Sequence, residues 1–233
     1  MPQRDPLSPP LLAVAGVLAA LPAAWLALAA DACASGAAGS LAGFAWAGLS
    51  LTPSFTLTAG LARAGSHAPA AWALVLLAGP LGSACLGLAA HAIAQTFRGL
   101  AWLRVMAFQW VAFAMLRLPA LLIAAVVPGG RGPVNDLYGQ LGEPESGRWA
   151  VAVLAFLALG GAAALVSRLA VGAGRGWMRV DGRGFRRHLV RVVAGYPALA
   201  ALAGWSAQAL WASPGWMVSW LVLTLVALHG LTP

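Results

Sequence analysis

Asp31, His91 and Arg117 are ionisable side chains set inside long apolar runs, and Gln95, Gln109 and Gln208 are the amides that accompany them. An ionisable group deep in a membrane is costly to bury and is a functional candidate by default. Arg117 is the sharpest case. It stands 13 residues after Arg104 and 11 before Pro128, too far from either end of its run to extend its guanidinium easily to water. It therefore requires an internal partner, and Asp31 or Asp136 can supply the carboxylate. Such a pair either fixes helix packing or lines a polar route through the membrane. His91 and Gln95 are four apart on one helical face and can share contacts. A lone helical histidine is more often a hydrogen-bonded core residue than a metal ligand, so His91 and Gln95 rank with Arg117 as buried polar candidates. Arg168 lies near a helix end and can reach the interface; His229 is a weaker candidate than His91, and His67 and His188 fall in loops.

What the chain lacks narrows the chemistry further. All 14 basic residues are Arg, and the only two Glu residues, Glu143 and Glu145, share one loop, so no apolar helix carries a glutamate base. Hydrophobic residues make up 61% and charged residues 9%, with a mean hydropathy of +0.83, against about 25% charged in a typical soluble domain. Lipid is the solvent of this fold, and residues 1–233 read as a single integral membrane domain. A net charge of +8 could suit nucleic acid, but the Arg residues sit between apolar segments where topology requires them, so no nucleic-acid partner is expected. Cys33 and Cys85 lie in helical runs without CxxC spacing, which argues against a disulfide or zinc knuckle. No cofactor is expected. Abundant Ala, Gly and Arg without Lys fits a bacterial coding bias and a multi-pass protein of the bacterial cytoplasmic membrane.

The elements that must position these residues follow from the apolar runs. Spans are expected at 10–30, 70–97, 101–127, 149–171, 189–211 and 214–231, with a further apolar helix at 33–48. The fold class is thus all-α and polytopic, with six or seven transmembrane helices. The first run, from Leu11 to Ala30, is longer than a usual signal-peptide core and reads as a retained helix. Arg98 and Arg104, and the cluster Arg175, Arg179, Arg183, Arg186, Arg187 and Arg191, mark cytoplasmic connections, so the loop at 128–148 should face the other side. Residues 10–50 as one helix would be about 60 Å long, so the chain either turns near Asp31 or runs as a kinked helix into the interface. Several Trp residues near helix ends, including Trp102, Trp149 and Trp177, read as interfacial anchors.

Between the helices, Leu49, Leu51, Pro53, Phe55 and Leu57 alternate with Ser50, Thr52, Ser54, Thr56 and Thr58. This is strand periodicity, and it predicts a short membrane-associated strand or hairpin near 49–60. An unpaired strand cannot face lipid, so it must lie at the interface, pair with the segment after Gly60, or sit inside a helical cage. The alternative is an extended Ser/Thr-rich loop. Asn135 can cap a short helix over 134–138.

Two intramembrane protease families invite comparison. Ala34-Ser35-Gly36 is similar to the nucleophile turn of rhomboid proteases, with His91 following, but the helices that should precede it are missing and a strand-like segment occupies the interval. The order of segments more closely resembles the site-2 protease family of intramembrane zinc metallopeptidases. The helix at Asp31 to Gly43, the strand at Leu49 to Thr58, Ala78-Gly79-Pro80, and Leu116-Arg117-Leu118-Pro119 before Asn135-Asp136 fall in the family's order. The resemblance implies a core within residues 10–140, followed by additional transmembrane helices at 149–231. On it, Asp31-Ala32-Cys33-Ala34-Ser35 takes the place of HExxH, so Asp31 and Ser35 stand where zinc-binding histidines belong, Ala32 where the general base belongs, and Asp136 at the third ligand.

Zinc hydrolysis needs three protein ligands, commonly including His, and a base to activate water. With the base gone, Asp31, Ser35 and Asp136 form a degenerate site with no catalytic residue and no metal. The expected function is a catalytically inactive site-2-protease-like membrane protein that binds or regulates a membrane-protein partner or peptide segment. Two alternatives stand beside it: a small transporter or permease component with a polar route near Arg117, and an intramembrane peptidase with an atypical site.

Overall fold

The computed structural model describes residues 9–51, 57–62, 69–97, 100–126 and 145–174. In chain order these form helix α1 (Pro9–Leu41), strands β1 (Ala45–Leu51) and β2 (Leu57–Ala62), and helices α2 (Pro69–Thr96), α3 (Ala101–Val126) and α4 (Glu145–Gly174). All four helices are long and apolar enough to cross a membrane. Glu145, expected in a loop with Glu143, is instead the first residue of α4, where the helix N-terminus favours a carboxylate, ahead of the apolar span Trp149–Val166. The spans expected at 189–211 and 214–231, the short helix at 134–138 and Asp136 lie outside the described residues.

The expected apolar helix at 33–48 is not a separate element. Residues 33–41 continue α1 without a break, and the chain is already extended at Ala45. Asp31 is no turn residue, because its carboxylate is satisfied inside the bundle. The helix stops ten residues later in a Schellman motif. Gly43 takes a φ of 86°, Phe44 N–H donates to Gly39 O at 2.9 Å and Gly43 N–H to Ser40 O at 3.2 Å. A side chain at Gly43 would strain this left-handed turn. Phe44, now buried, packs edge-on against Trp72 at the start of α2 with ring centroids 4.6 Å apart.

The alternating segment divides between two strands. β1 and β2 are antiparallel, with Ser50 opposite Thr58 and Leu51 opposite Leu57, and a bulge between Trp46 and Gly48 shifts the register. Pairing satisfies along one side the backbone groups that a lone strand would leave open. The hairpin rests on the last turns of α1: the Trp46 indole lies over Gly36 and Leu61 over Gly39, each where a Cβ on the glycine would approach to 2.6 Å.

Helix packing follows side-chain size. Ala19, Ala20, Ala23, Ala27 and Ala30 recur at helical spacing on the buried face of α1, allowing α2 and α3 to pack against it. Val105, Phe108, Val111 and Leu116 of α3 fill the centre, and α4 leans on α3 through Ala155, Leu159 and Val166. Large apolar residues point outward instead: Leu74, Leu81, Leu86 and Ile93 on α2, and Val153, Leu154, Phe156 and Leu157 on α4. This is the surface expected of helices whose neighbours are lipid chains.

Candidate functional site

Asp31 meets Arg117 where α1, α2 and α3 come together. Two hydrogen bonds set the level of α2 beside α1: Ser35 Oγ donates to Val75 O at 3.3 Å, and Ser83 Oγ to Ala27 O at 2.8 Å. Successive contacts thus run up one helix and down the other, and the helices are antiparallel. Midway between these bonds, Asp31 falls opposite Gly79.

Gly79 explains how a carboxylate fits there. A Cβ on this residue would collide with Ser35 Oγ and Asp31 Oδ1, so the missing side chain is the space the two polar groups occupy. Pro80 is buried beside it, and Ala78 is partly exposed. The Ala78-Gly79-Pro80 segment therefore faces the stretch of α1 that holds Asp31 and Ser35.

From α3, Arg117 Nε donates to Asp31 Oδ2, closing an ion pair across 86 residues of sequence. The side chains are 20% exposed for Arg117 and 9% for Asp31. Either charge alone at such a position costs a few kcal/mol or more, and mutual attraction with a hydrogen bond offsets much of that. Of the two carboxylates open to Arg117 from the sequence, the described residues provide Asp31.

A second polar group lies farther along the bundle. Gln95 Nε2 stands 3.4 Å from His91 Nε2 on one edge of the imidazole, a contact whose donor and acceptor follow the ring's tautomer, with Nδ1 on the other edge. Among the described residues that Nδ1 is buried without a hydrogen-bond partner, and the ring meets Phe108 edge-on with centroids 6.1 Å apart. His91 is 12 residues from Gly79 on the same helix, about 18 Å away. The Asp31–Arg117 pair and the His91–Gln95 pair are therefore separate sites, and Ser35, opposite Val75, is farther still from His91. Ser35 and His91 therefore form no dyad.

Ser83 and Gln109 carry polar links that sequence reasoning did not assign. Ser83 also receives a long contact from Trp110 Nε1 at 3.5 Å, and Gln109 Nε2 donates to Gly16 O at 3.0 Å. Ser83 sits one turn from Gly79, a spacing that could have flagged it. Gln109 is fully buried, and its Oε1 has no partner among the described residues. Gln109→Leu should therefore leave stability within about 1 kcal/mol of wild type or raise it, because the lost hydrogen bond is matched by relief of an unsatisfied oxygen. Unfolding in mixed micelles checks this; a loss of more than about 2 kcal/mol would mean that Oε1 is satisfied after all.

Among the described residues, no group of three His, Cys, Asp or Glu side chains is placed to hold a metal ion. Cys33 and Cys85 are free and exposed, and Arg168 is exposed on α4. The chain matches no protein-family model, no curated protein and no solved structure.

Proposed function

We propose that this chain is a multi-pass scaffold of the bacterial cytoplasmic membrane with a site-2-protease-like core, which binds or regulates a membrane partner and does not cleave it. The observation that carries this reading is the pairing of Asp31 with Arg117. On the family resemblance Asp31 stands at the first metal-ligand position of the HExxH helix, and a carboxylate held by a guanidinium is a poor ligand. Ser35, at the second position, spends its hydroxyl on Val75 O, and Ala32 has no group to activate water.

Two further observations support a binding role. Ala78-Gly79-Pro80 abuts the degenerate ligand positions, and the hairpin after α1 has strand edges on which an extended segment could add by backbone hydrogen bonds. A transport route would need a wet path along the bundle, whereas Val105, Phe108, Val111 and Leu116 are fully buried and apolar on α3. That packing favours the scaffold over a permease. With Arg98, Arg104 and the Arg175–Arg191 cluster on the cytoplasmic side, the hairpin faces the opposite side.

Elemental analysis of detergent-purified protein, with Asp31→Ala and Asp136→Ala alongside, tests the absence of catalysis. No stoichiometric zinc is expected in any of the three. Zinc at one per chain, lost in both variants, would overturn the reading and turn attention to peptidase activity.

A further inference from the structure

Arg117 uses only part of its hydrogen-bonding capacity. A guanidinium carries five N–H donors, and here Nε–H alone engages Asp31. Among the described residues, neither Nη1 nor Nη2 has a partner. The side chain is nevertheless 20% exposed, so these donors are open to something outside the packed core.

Position and charge limit what that something is. Asp31 lies five residues from Gly36, the seat of Trp46, which places the pair about 8 Å along α1 from the hairpin. Arg117 lies nine residues from the end of α3, about 14 Å in. The pair is already neutral in sum. A carboxylate or phosphate added at Nη would leave one net negative charge in a low-dielectric setting, which is strongly unfavourable. A cation would face donors and the like charge of the guanidinium. An uncharged oxygen completes the donors without unbalancing the charge.

We propose that Arg117 is the specificity-determining residue of the partner site, and that it selects a membrane-inserted segment presenting the uncharged oxygen of a side-chain amide at its depth. Asp31 sets this preference by cancelling the guanidinium charge. The inference rests on the scaffold reading and adds the chemical class of the segment bound.

The test uses the full chain in phosphatidylcholine vesicles and three synthetic Leu/Ala peptides of about 20 residues, long enough to span. They differ only in a central Gln, Glu or Leu, and binding is read by fluorescence energy transfer in mildly alkaline buffer. The Gln peptide should bind at least about tenfold tighter than either of the others, the scale of one hydrogen bond to a charged donor. In Asp31→Asn, where Arg117 is no longer balanced, the preference should move to the Glu peptide. Equal binding of all three to wild type, or preference for Glu on wild type, overturns the inference while leaving the scaffold intact. Binding of none removes the scaffold reading and this inference with it. The wild-type comparison stands even if Asp31→Asn does not fold.

Discussion

Arg117→Gln should destabilise the protein by about 3–5 kcal/mol, and adding Asp31→Asn should recover most of the loss. The single substitution removes the guanidinium but leaves Asp31 buried and charged between three helices, with its Oδ2 acceptor unmatched. The double variant removes both charges and leaves two amides able to hydrogen-bond across the same gap. Asp31→Asn alone is milder than Arg117→Gln, because Arg117 is the more exposed partner and its Nη groups already meet the surroundings. A double-mutant cycle by unfolding in mixed micelles separates the pair from its context. Additive losses, with no recovery in the double variant, would mean that the two residues are not coupled.

The second large effect is expected at Gly79. Gly79→Val places branched carbons where Ser35 Oγ and the Asp31 carboxylate lie, and both belong to the buried face of α1 rather than to flexible surface chains. Overpacking of this kind typically costs about 1–3 kcal/mol, and displacement of Asp31 from Arg117 adds to it. Gly160→Val is the matched control, since nothing lies within 4 Å of a Cβ there and helix propensity should give a small gain of about a few tenths of a kcal/mol. Opposite signs at the two glycines would mark Gly79 as a contact between α1 and α2. Equal tolerance of both substitutions would contradict the close approach of Asp31.

Much of the architecture is legible because membranes restrict the alternatives. Apolar runs of helical length mark α2, α3 and α4 to within a few residues, since only helices and closed barrels satisfy their backbones in lipid. The demand of Arg117 for a carboxylate is equally readable from its depth. Which carboxylate answers it is not, because the choice is made by the packing of α1 on α3 across 86 residues.

The hairpin and α1 show where local pattern loses information. The alternation of Leu49 to Thr58 runs on through residues 52–56, so periodicity does not reveal that 45–51 and 57–62 are separate strands. Pro53, counted in that alternation, cannot donate to a ladder and is the signal in the run that could have flagged the break. A turn near Asp31 is one of two ways to fit residues 10–50 to a bilayer by length alone, and length does not show that Arg117, from another helix, makes the charge acceptable mid-helix. The links of Ser83 to Ala27 O and Gln109 to Gly16 O were hidden for the same cause, since their acceptors are backbone atoms that no side-chain pattern identifies.

The pairing of Asp31 with Arg117 underlies both the noncatalytic reading and the selection of an uncharged ligand, and it can be measured in a bilayer. Protein labelled with carbon-13 at aspartate Cγ and nitrogen-15 in the arginine guanidinium, reconstituted in lipid, permits a solid-state NMR dipolar-recoupling experiment. A carboxyl resonance that is strongly dephased by guanidinium nitrogen, and loses that dephasing in Arg117→Gln, is the expected result. An Asp31 carboxyl with no nearby guanidinium nitrogen, identified by its disappearance in Asp31→Asn, would contradict the pair and leave that carboxylate open to metal.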